Sequence, residues 1–169
     1  MTLLAVNGSP STTSKTRALA DAAVALAGGD VLDLSSIDAD ALLLRGGHPS
    51  LDRALEQIAT ADRVVLATPI YRATYSGLLK TLLDQLPQDG LAGKGVVLAA
   101  TGGSPAHFLG LDTGIRAAVA SVHGWCVPTV VYATGADFDE EGSPSEAVRA
   151  TLAAALEEAA RVAGTPGSG

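Results

Sequence analysis

Cysteine appears once in the chain, as Cys126. A single thiol cannot close an internal disulfide, so a disulfide-stapled fold is excluded and a reducing cytoplasm is the expected location. Cys126 sits beside Trp125 at the start of an apolar stretch and reads as a core thiol. No Cys/His spacing forms a zinc site. Long apolar runs are also missing, since none approaches the roughly 20 residues that span a bilayer. The opening residues, Met1 to Val6, carry no basic n-region and lead into a strand pattern, so no signal peptide is expected there. Basic residues are few, 11 against 18 acidic ones, and the net charge is −7 with no Lys/Arg cluster. Binding to nucleic acid or to an anionic membrane is therefore not expected. Charge as a whole is sparse at 17% while apolar residues reach 47%, which excludes a disordered chain.

What is present is an alternation of strand and helix patterns over 169 residues, a length for one domain. That domain is expected at 1–164, with Thr165-Pro166-Gly167-Ser168-Gly169 as a frayed tail. Strands are predicted at 3–6, 30–34, 63–67, 95–100 and 127–133. The fourth is a continuous apolar run of the kind buried on both faces. Helices are predicted at 14–27, 50–61, 76–86, 105–122 and 145–163. Gly28-Gly29 ends the first helix and Ser50 offers an N-cap for the second. Leucines at 78, 79, 82, 83 and 86 put one apolar stripe on the third, and Pro87 limits it. Residues 38–43 read as a short turn or helix. Alternating β and α predicts a three-layer α/β/α sandwich, and right-handed crossovers prune its topologies. Five strands, and a first loop without G-x-G-x-x-G, favour a flavodoxin-like parallel sheet of order 2-1-3-4-5 over the Rossmann order.

Three loops leave the carboxyl ends of these strands, where open α/β sheets bind ligands. The first, Asn7-Gly8-Ser9-Pro10-Ser11-Thr12-Thr13-Ser14-Lys15-Thr16-Arg17, has five hydroxyl residues between positions 9 and 14. It runs into a helix start, where free amides, the dipole and a Lys or Arg suit a phosphate. It is neither a Walker A loop nor a dinucleotide fingerprint. A Ser/Thr-rich loop ending in an N-cap would read the same way. The second loop is built on Thr68-Pro69-Ile70-Tyr71-Arg72, read as a Thr-Pro turn that keeps a helix from starting. Ser76 or Tyr75 then opens the leucine helix. The alternative here is an ordinary strand-to-helix connection with Tyr71 and Tyr75 as packing aromatics. The third, Thr101-Gly102-Gly103-Ser104-Pro105-Ala106-His107, pairs two glycines that let backbone approach a ligand. Pro105 suits a first helical turn, and a tight βα turn would look the same.

Taken together, these pieces resemble the NADPH-dependent FMN reductases, above all the sulfonate-utilisation branch. The resemblance rests on Thr68-Pro69-Ile70-Tyr71-Arg72, Tyr75-Ser76-Gly77-Leu78-Leu79-Lys80, Thr81-Leu82-Leu83-Asp84 and the other two loops, and covers roughly 3–125. It implies that Ser9, Ser11, Ser14, Lys15 and Thr16 hold the FMN phosphate. It further implies that Pro69, Ile70, Tyr71 and Arg72 line the isoalloxazine, with Ser76 close behind. Thr101, Gly102, Gly103 and Ser104 would face the pyrimidine edge, with His107 beside them. A lone histidine is also commonly structural. That branch often has Lys where Arg72 stands; Arg keeps the charge but donates in a planar fork. It commonly has a tyrosine, associated with a helix irregularity at the subunit interface, where this chain has Thr113 followed by Gly114.

The implied activity is an oxidoreductase that passes hydride from NADPH to FMN, with no side chain named as general acid or base, because the flavin carries the chemistry. Reduced flavin then leaves for a partner monooxygenase or passes electrons to a bound acceptor. A homodimer or homotetramer is implied, with the leucine helix and the 105–122 helix as candidate interfaces. The alternatives are a quinone, azo or metal-oxyanion reductase with tightly held FMN, and a non-catalytic flavodoxin-like carrier. Three Tyr, two Phe and one Trp are few for the aromatic loops of a carrier. A phosphate-ester hydrolase is more distant. Ser9, His107 and Asp112 lack the G-x-S-x-G elbow of a triad. Residues 137–141 read as a solvated acidic loop, too short for an EF-hand.

Overall fold

A computed structural model describes residues 1–11, 13–43, 47–108 and 110–164. The tail expected at 165–169 lies outside these residues. The first strand and helix are β1 (Leu3–Asn7) and α1 (Lys15–Ala27). β2 (Asp30–Asp33), α2 (Ala39–Leu43) and α3 (Pro49–Thr60) follow. The middle of the chain forms β3 (Arg63–Tyr71), β4 (Thr74–Tyr75), α4 (Gly77–Gln85) and β5 (Gly95–Thr101). A π-helical turn (Leu111–Ile115) leads into α5 (Arg116–Ser121). The chain then forms β6 (Trp125–Cys126), β7 (Val131–Ala133) and α6 (Glu146–Val162).

The sheet runs β2-β1-β3-β5, all parallel, and β6 and β7 both pair with the far side of β5. This is the expected 2-1-3-4-5 order with the fifth position shared by two short strands. The expected single strand at 127–133 is interrupted at Pro128, which has no N–H for a ladder. Arg116 crosses the break, donating to the carbonyls of Val127 at 2.9 Å and Pro128 at 3.1 Å.

Side chains alternate across the sheet as its pleat requires. Leu4, Val6, Val64, Leu66, Val96 and Leu98 enter one core with α3, α4 and the π-turn. Leu3, Ala5, Val65, Ala67, Val97 and Ala99 enter the other with α1 and α6. Three layers follow from that alternation. Among the described residues no helix is long and apolar enough to cross a membrane.

Three local expectations change. The second predicted helix is capped by His48, whose Nδ1 accepts from the Ser50 amide at 3.4 Å, not by Ser50. Pro49 takes the first helical position, where its fixed φ fits. Thr68-Pro69 is not a turn, because β3 runs through both to Tyr71. Ala67 turns its carbonyl to Gly8 N (2.8 Å), so two residues on Pro69 faces the side where β1 has already ended, and its missing N–H interrupts no ladder. The turn falls instead at Arg72 and Ala73, with φ 51° and 66°, between antiparallel β3 and β4. Two positive φ values are what a two-residue hairpin requires. Finally, the helix expected at 105–122 is broken into a 3₁₀ turn at Pro105–His107, the π-turn and α5.

β5 and α6 approach so closely that a Cβ on Gly95 would lie 2.2 Å from the Ala159 carbonyl oxygen. Gly95→Ala must displace α6 and should lower stability by about 1–3 kcal/mol. Urea unfolding checks this, and an unchanged midpoint would contradict the packing described.

Candidate functional site

Four strand ends converge on a cleft of about 380 Å³, within the range of small-molecule sites. The β1–α1 loop forms one end. Ser9 is buried, its hydroxyl accepts from Ser11 N at 3.1 Å, and its own amide donates to Asn7 Oδ1 at 3.2 Å. Ser14 is the N-cap of α1, its Oγ accepting from Arg17 N at 3.1 Å. The amides of Lys15 and Thr16, at the first helical positions, have no intrahelical acceptor. Ser9, Ser11, Ser14, Lys15 and Thr16 all line the cleft.

The other end and the walls come from the remaining strands. Pro69, Ile70 and Tyr71 at the end of β3 form an apolar wall, and Thr101, Gly102 and Gly103 form the wall after β5. Thr16 and Thr101 join the two ends through a hydroxyl–hydroxyl contact of 2.7 Å. A Cβ on Gly102 would lie 1.9 Å from Tyr132 Oη, so a larger residue there must displace that side chain. The Tyr132 hydroxyl, raised in pKa by burial, donates to the Ser104 carbonyl at 2.6 Å and braces the loop. Nothing lies within 4 Å of the Cβ position of Gly103.

Four of the expected residues do not line the cleft. Arg72 is exposed at the hairpin tip. Ser76 is buried behind it: its Oγ donates to Gly8 O at 2.6 Å and accepts from Leu79 N at 3.1 Å, and its amide donates to Thr68 Oγ1 at 2.9 Å. Ser104 caps the following 3₁₀ turn, its Oγ accepting from Ala106 N at 3.3 Å. His107 is exposed in its 3₁₀ turn. Conversely, Thr134 and Gly135 line the cleft and were not anticipated. Their signal was positional, because they follow the last strand, whose carboxyl end belongs to the same edge. Asp137 builds that loop by accepting from the Thr134 amide at 2.7 Å and hydroxyl at 2.8 Å. Those bonds hold its carboxyl below its ordinary pKa.

The electrostatics are lopsided. Lys15 is the only charged side chain among the described residues lining the cleft. Its Nζ lies 3.4 Å from Gly135 O and 5.6 Å from the Phe138 ring centre. Arg17, two residues on, is committed elsewhere, to Asp21 at 2.8 Å and Asp33 at 3.0 Å. Burial pushes the Asp33 carboxyl up, but bonds from the Ser35 hydroxyl and amide, Asn7 and Arg17 outweigh it and leave the pKa lowered. Such a cleft offers amides, hydroxyls and one cation at one end and an apolar wall at the other. Among the described residues its lining carries no carboxylate, imidazole or thiol for acid–base work.

A family model described as NADPH-dependent FMN reductase matches residues 1–139. A Pseudomonas aeruginosa protein named FMN reductase (NADPH) is 36% identical over 171 residues, covering 96% of this chain and 92% of that relative. A Pseudomonas fluorescens protein named NADH-dependent FMN reductase SfnF is 40% identical over 115 residues, covering 68% of this chain and 62% of that relative. Among solved structures, an apo NADH:FMN oxidoreductase (EMOB) superposes with TM-score 0.86 at 36% identity, covering 98% of this chain and 91% of that one.

Two outcomes test this geometry. Ser76→Ala removes the α4 cap and leaves the Gly8 carbonyl without its donor, and should lower stability by about 2–4 kcal/mol in urea unfolding. For Asp33 the folded pKa is lowered, so its stabilisation is full above the ordinary carboxylate range and is lost as pH falls through the folded value. The stability gap between wild type and Asp33→Asn should therefore be wide near about pH 7 and narrow near about pH 3. A gap independent of pH would refute the Asp33 assignment.

Proposed function

The chain belongs to the NADPH-dependent FMN reductase family, and from that premise we propose how its own residues serve the reduction of FMN by NADPH. One observation carries the reading: a single cleft pairs the α1 N-terminus and Lys15 with the apolar Pro69–Ile70–Tyr71 wall. The donor set fits FMN, whose phosphate needs converging donors and whose ring needs a flat apolar surface. When bound, FMN supplies the redox chemistry.

The chain supplies position. Ser9, Ser11, Ser14, Lys15 and Thr16 hold the phosphate, with the α1 dipole favouring its charge. Pro69, Ile70 and Tyr71 carry the ring, and Ser76 holds that wall in register from behind. Thr101, Gly102 and Gly103 offer backbone to the pyrimidine edge, Thr134 and Gly135 close the remaining side, and Ser104 supports the wall through its carbonyl. Arg72, next in sequence to Tyr71, and His107 are both exposed and outside the cleft lining, free to meet what approaches from solvent. Residues 1–164 act as one FMN-binding domain. We place the protein in the cytoplasm as a homodimer or homotetramer that hands reduced FMN to a flavin-dependent monooxygenase.

The test is aerobic NADPH consumption by purified protein with and without added FMN. Consumption that rises and saturates with FMN is expected. Consumption without added FMN by a yellow protein, faster on quinone, would replace this reading with a bound-flavin reductase. Binding of FMN without any consumption would leave only a carrier. Lys15→Met should weaken FMN binding roughly tenfold, the loss of one charge-assisted bond, and leave riboflavin binding unchanged.

A further inference from the structure

Gly110 and Gly114 stand on the segment that enters and forms the π-turn. Neither is required by its own backbone. Gly110 has φ −61° and ψ −20°, values open to any residue, and Gly114 is not among the positive-φ glycines. In a helical segment glycine is less favourable than alanine. What glycine permits here is approach. A Cβ on Gly110 would lie 2.8 Å from the Ala73 carbonyl oxygen and 3.5 Å from Ile70 Cγ2. One on Gly114 would lie 3.2 Å from Tyr75 Cε1 and 3.3 Å from Thr74 Oγ1. Two glycines thus receive three consecutive residues of the hairpin, 73–75, together with Ile70.

The opposite side of this contact is also conformationally unfavourable. Arg72 and Ala73 both hold a positive φ without being glycine, a state that persists where surroundings enforce it. β4 is only two residues long and pairs with β3 alone, so the ladder by itself is a weak anchor. Ile70 completes the relay, because it touches the Gly110 position and also lines the cleft.

We propose that Gly110 and Gly114 form a notch that seats the hairpin and thereby fixes the Pro69–Ile70–Tyr71 wall against the flavin ring. They are positioning residues for the ring side of the cleft. This rests on the reading that the ring lies on that wall. At Gly110 the obstructing atom is backbone and yields only if the hairpin moves. At Gly114 the neighbours are the Tyr75 ring edge and the Thr74 hydroxyl, which need give by only a few tenths of an ångström. Gly110→Ala should therefore have the larger effect.

The experiment titrates FMN and riboflavin by flavin fluorescence into wild type, Gly110→Ala, Gly114→Ala and Tyr71→Ala, and records the thermal midpoint of each apo protein. Gly110→Ala should weaken both ligands by the same factor, on the order of tenfold, and Gly114→Ala by roughly threefold, as overpacking at a yielding contact allows. Thermal midpoints should fall by a few degrees at most, because the obstructed element is a two-residue strand and not a long core helix such as α6. Affinity like wild type in both glycine variants, or lost stability with retained affinity, would overturn the proposal. A loss confined to FMN would place the effect at the phosphate and also overturn it. If Gly110→Ala does not fold, Gly114→Ala decides alone. If Tyr71→Ala leaves riboflavin binding unchanged, the ring-wall reading itself fails, and the notch proposal falls with it for that separate reason.

Discussion

Behind the cleft two hydroxyls, both out of reach of solvent, tie together the loops that form it. Ser76 Oγ gives its proton to the Gly8 carbonyl and accepts from the α4 amide of Leu79, while its own amide is taken by Thr68. Thr68 in turn donates to Pro69 O at 3.1 Å. An unsatisfied polar group in that place would be costly, so each bond enforces the next. The β1–α1 loop, the end of β3 and the start of α4 are locked as one unit. Gly8 belongs to the same lock: a Cβ there would lie 2.9 Å from Ala67 O. The Pro69–Ile70–Tyr71 wall and the serine-rich β1–α1 loop are therefore not independent modules.

Charge is distributed with a similar economy. The chain carries −7 overall, yet the described lining of the cleft holds one cation and no anion. Arg17 stands close enough to be taken for a second phosphate ligand, but Asp21 and Asp33 hold it on the outer side of α1. It orders the turn after β2, and Lys15 is the one cation of the described cleft lining. Besides Lys15, the described lining at that end offers directed amides and hydroxyls, the groups that suit an anion at a helix N-terminus.

Much of this was legible in residue order. Three layers and the loops after β1, β3 and β5 follow from periodicity and Gly/Pro punctuation, and the strand order from five strands with a first loop that lacks G-x-G-x-x-G. The departures have local physical causes. Thr68-Pro69 reads as a turn by propensity, but β1 ends early and leaves Pro69 a side on which no N–H is needed. Arg72-Ala73 is not a turn signal, because neither residue favours positive φ; only the docked hairpin imposes it. The single helix read at 105–122 conceals a 3₁₀ turn with no buried residue and a π-turn, because Leu111, Ile115 and Val119 keep a helix-like spacing across the π-turn and α5. Ser76 was placed near the ring by resemblance, while its spacing before the leucine stripe already marked it as a cap. Thr134 and Gly135 carried no motif and were visible only as the residues after the last strand.

One feature of the fold acts outside the cleft. An open parallel sheet ends in two unpaired edges, each a template on which another chain could add a strand. Here neither edge offers a usable template. β2 is four residues long and begins and ends on aspartate. The far edge is divided into two short pieces by Pro128, with Arg116 capping carbonyls at the break. The interruption that distinguishes this sheet from a regular five-stranded one therefore also protects it from edge-to-edge aggregation, without a gatekeeping charge cluster in an otherwise apolar chain.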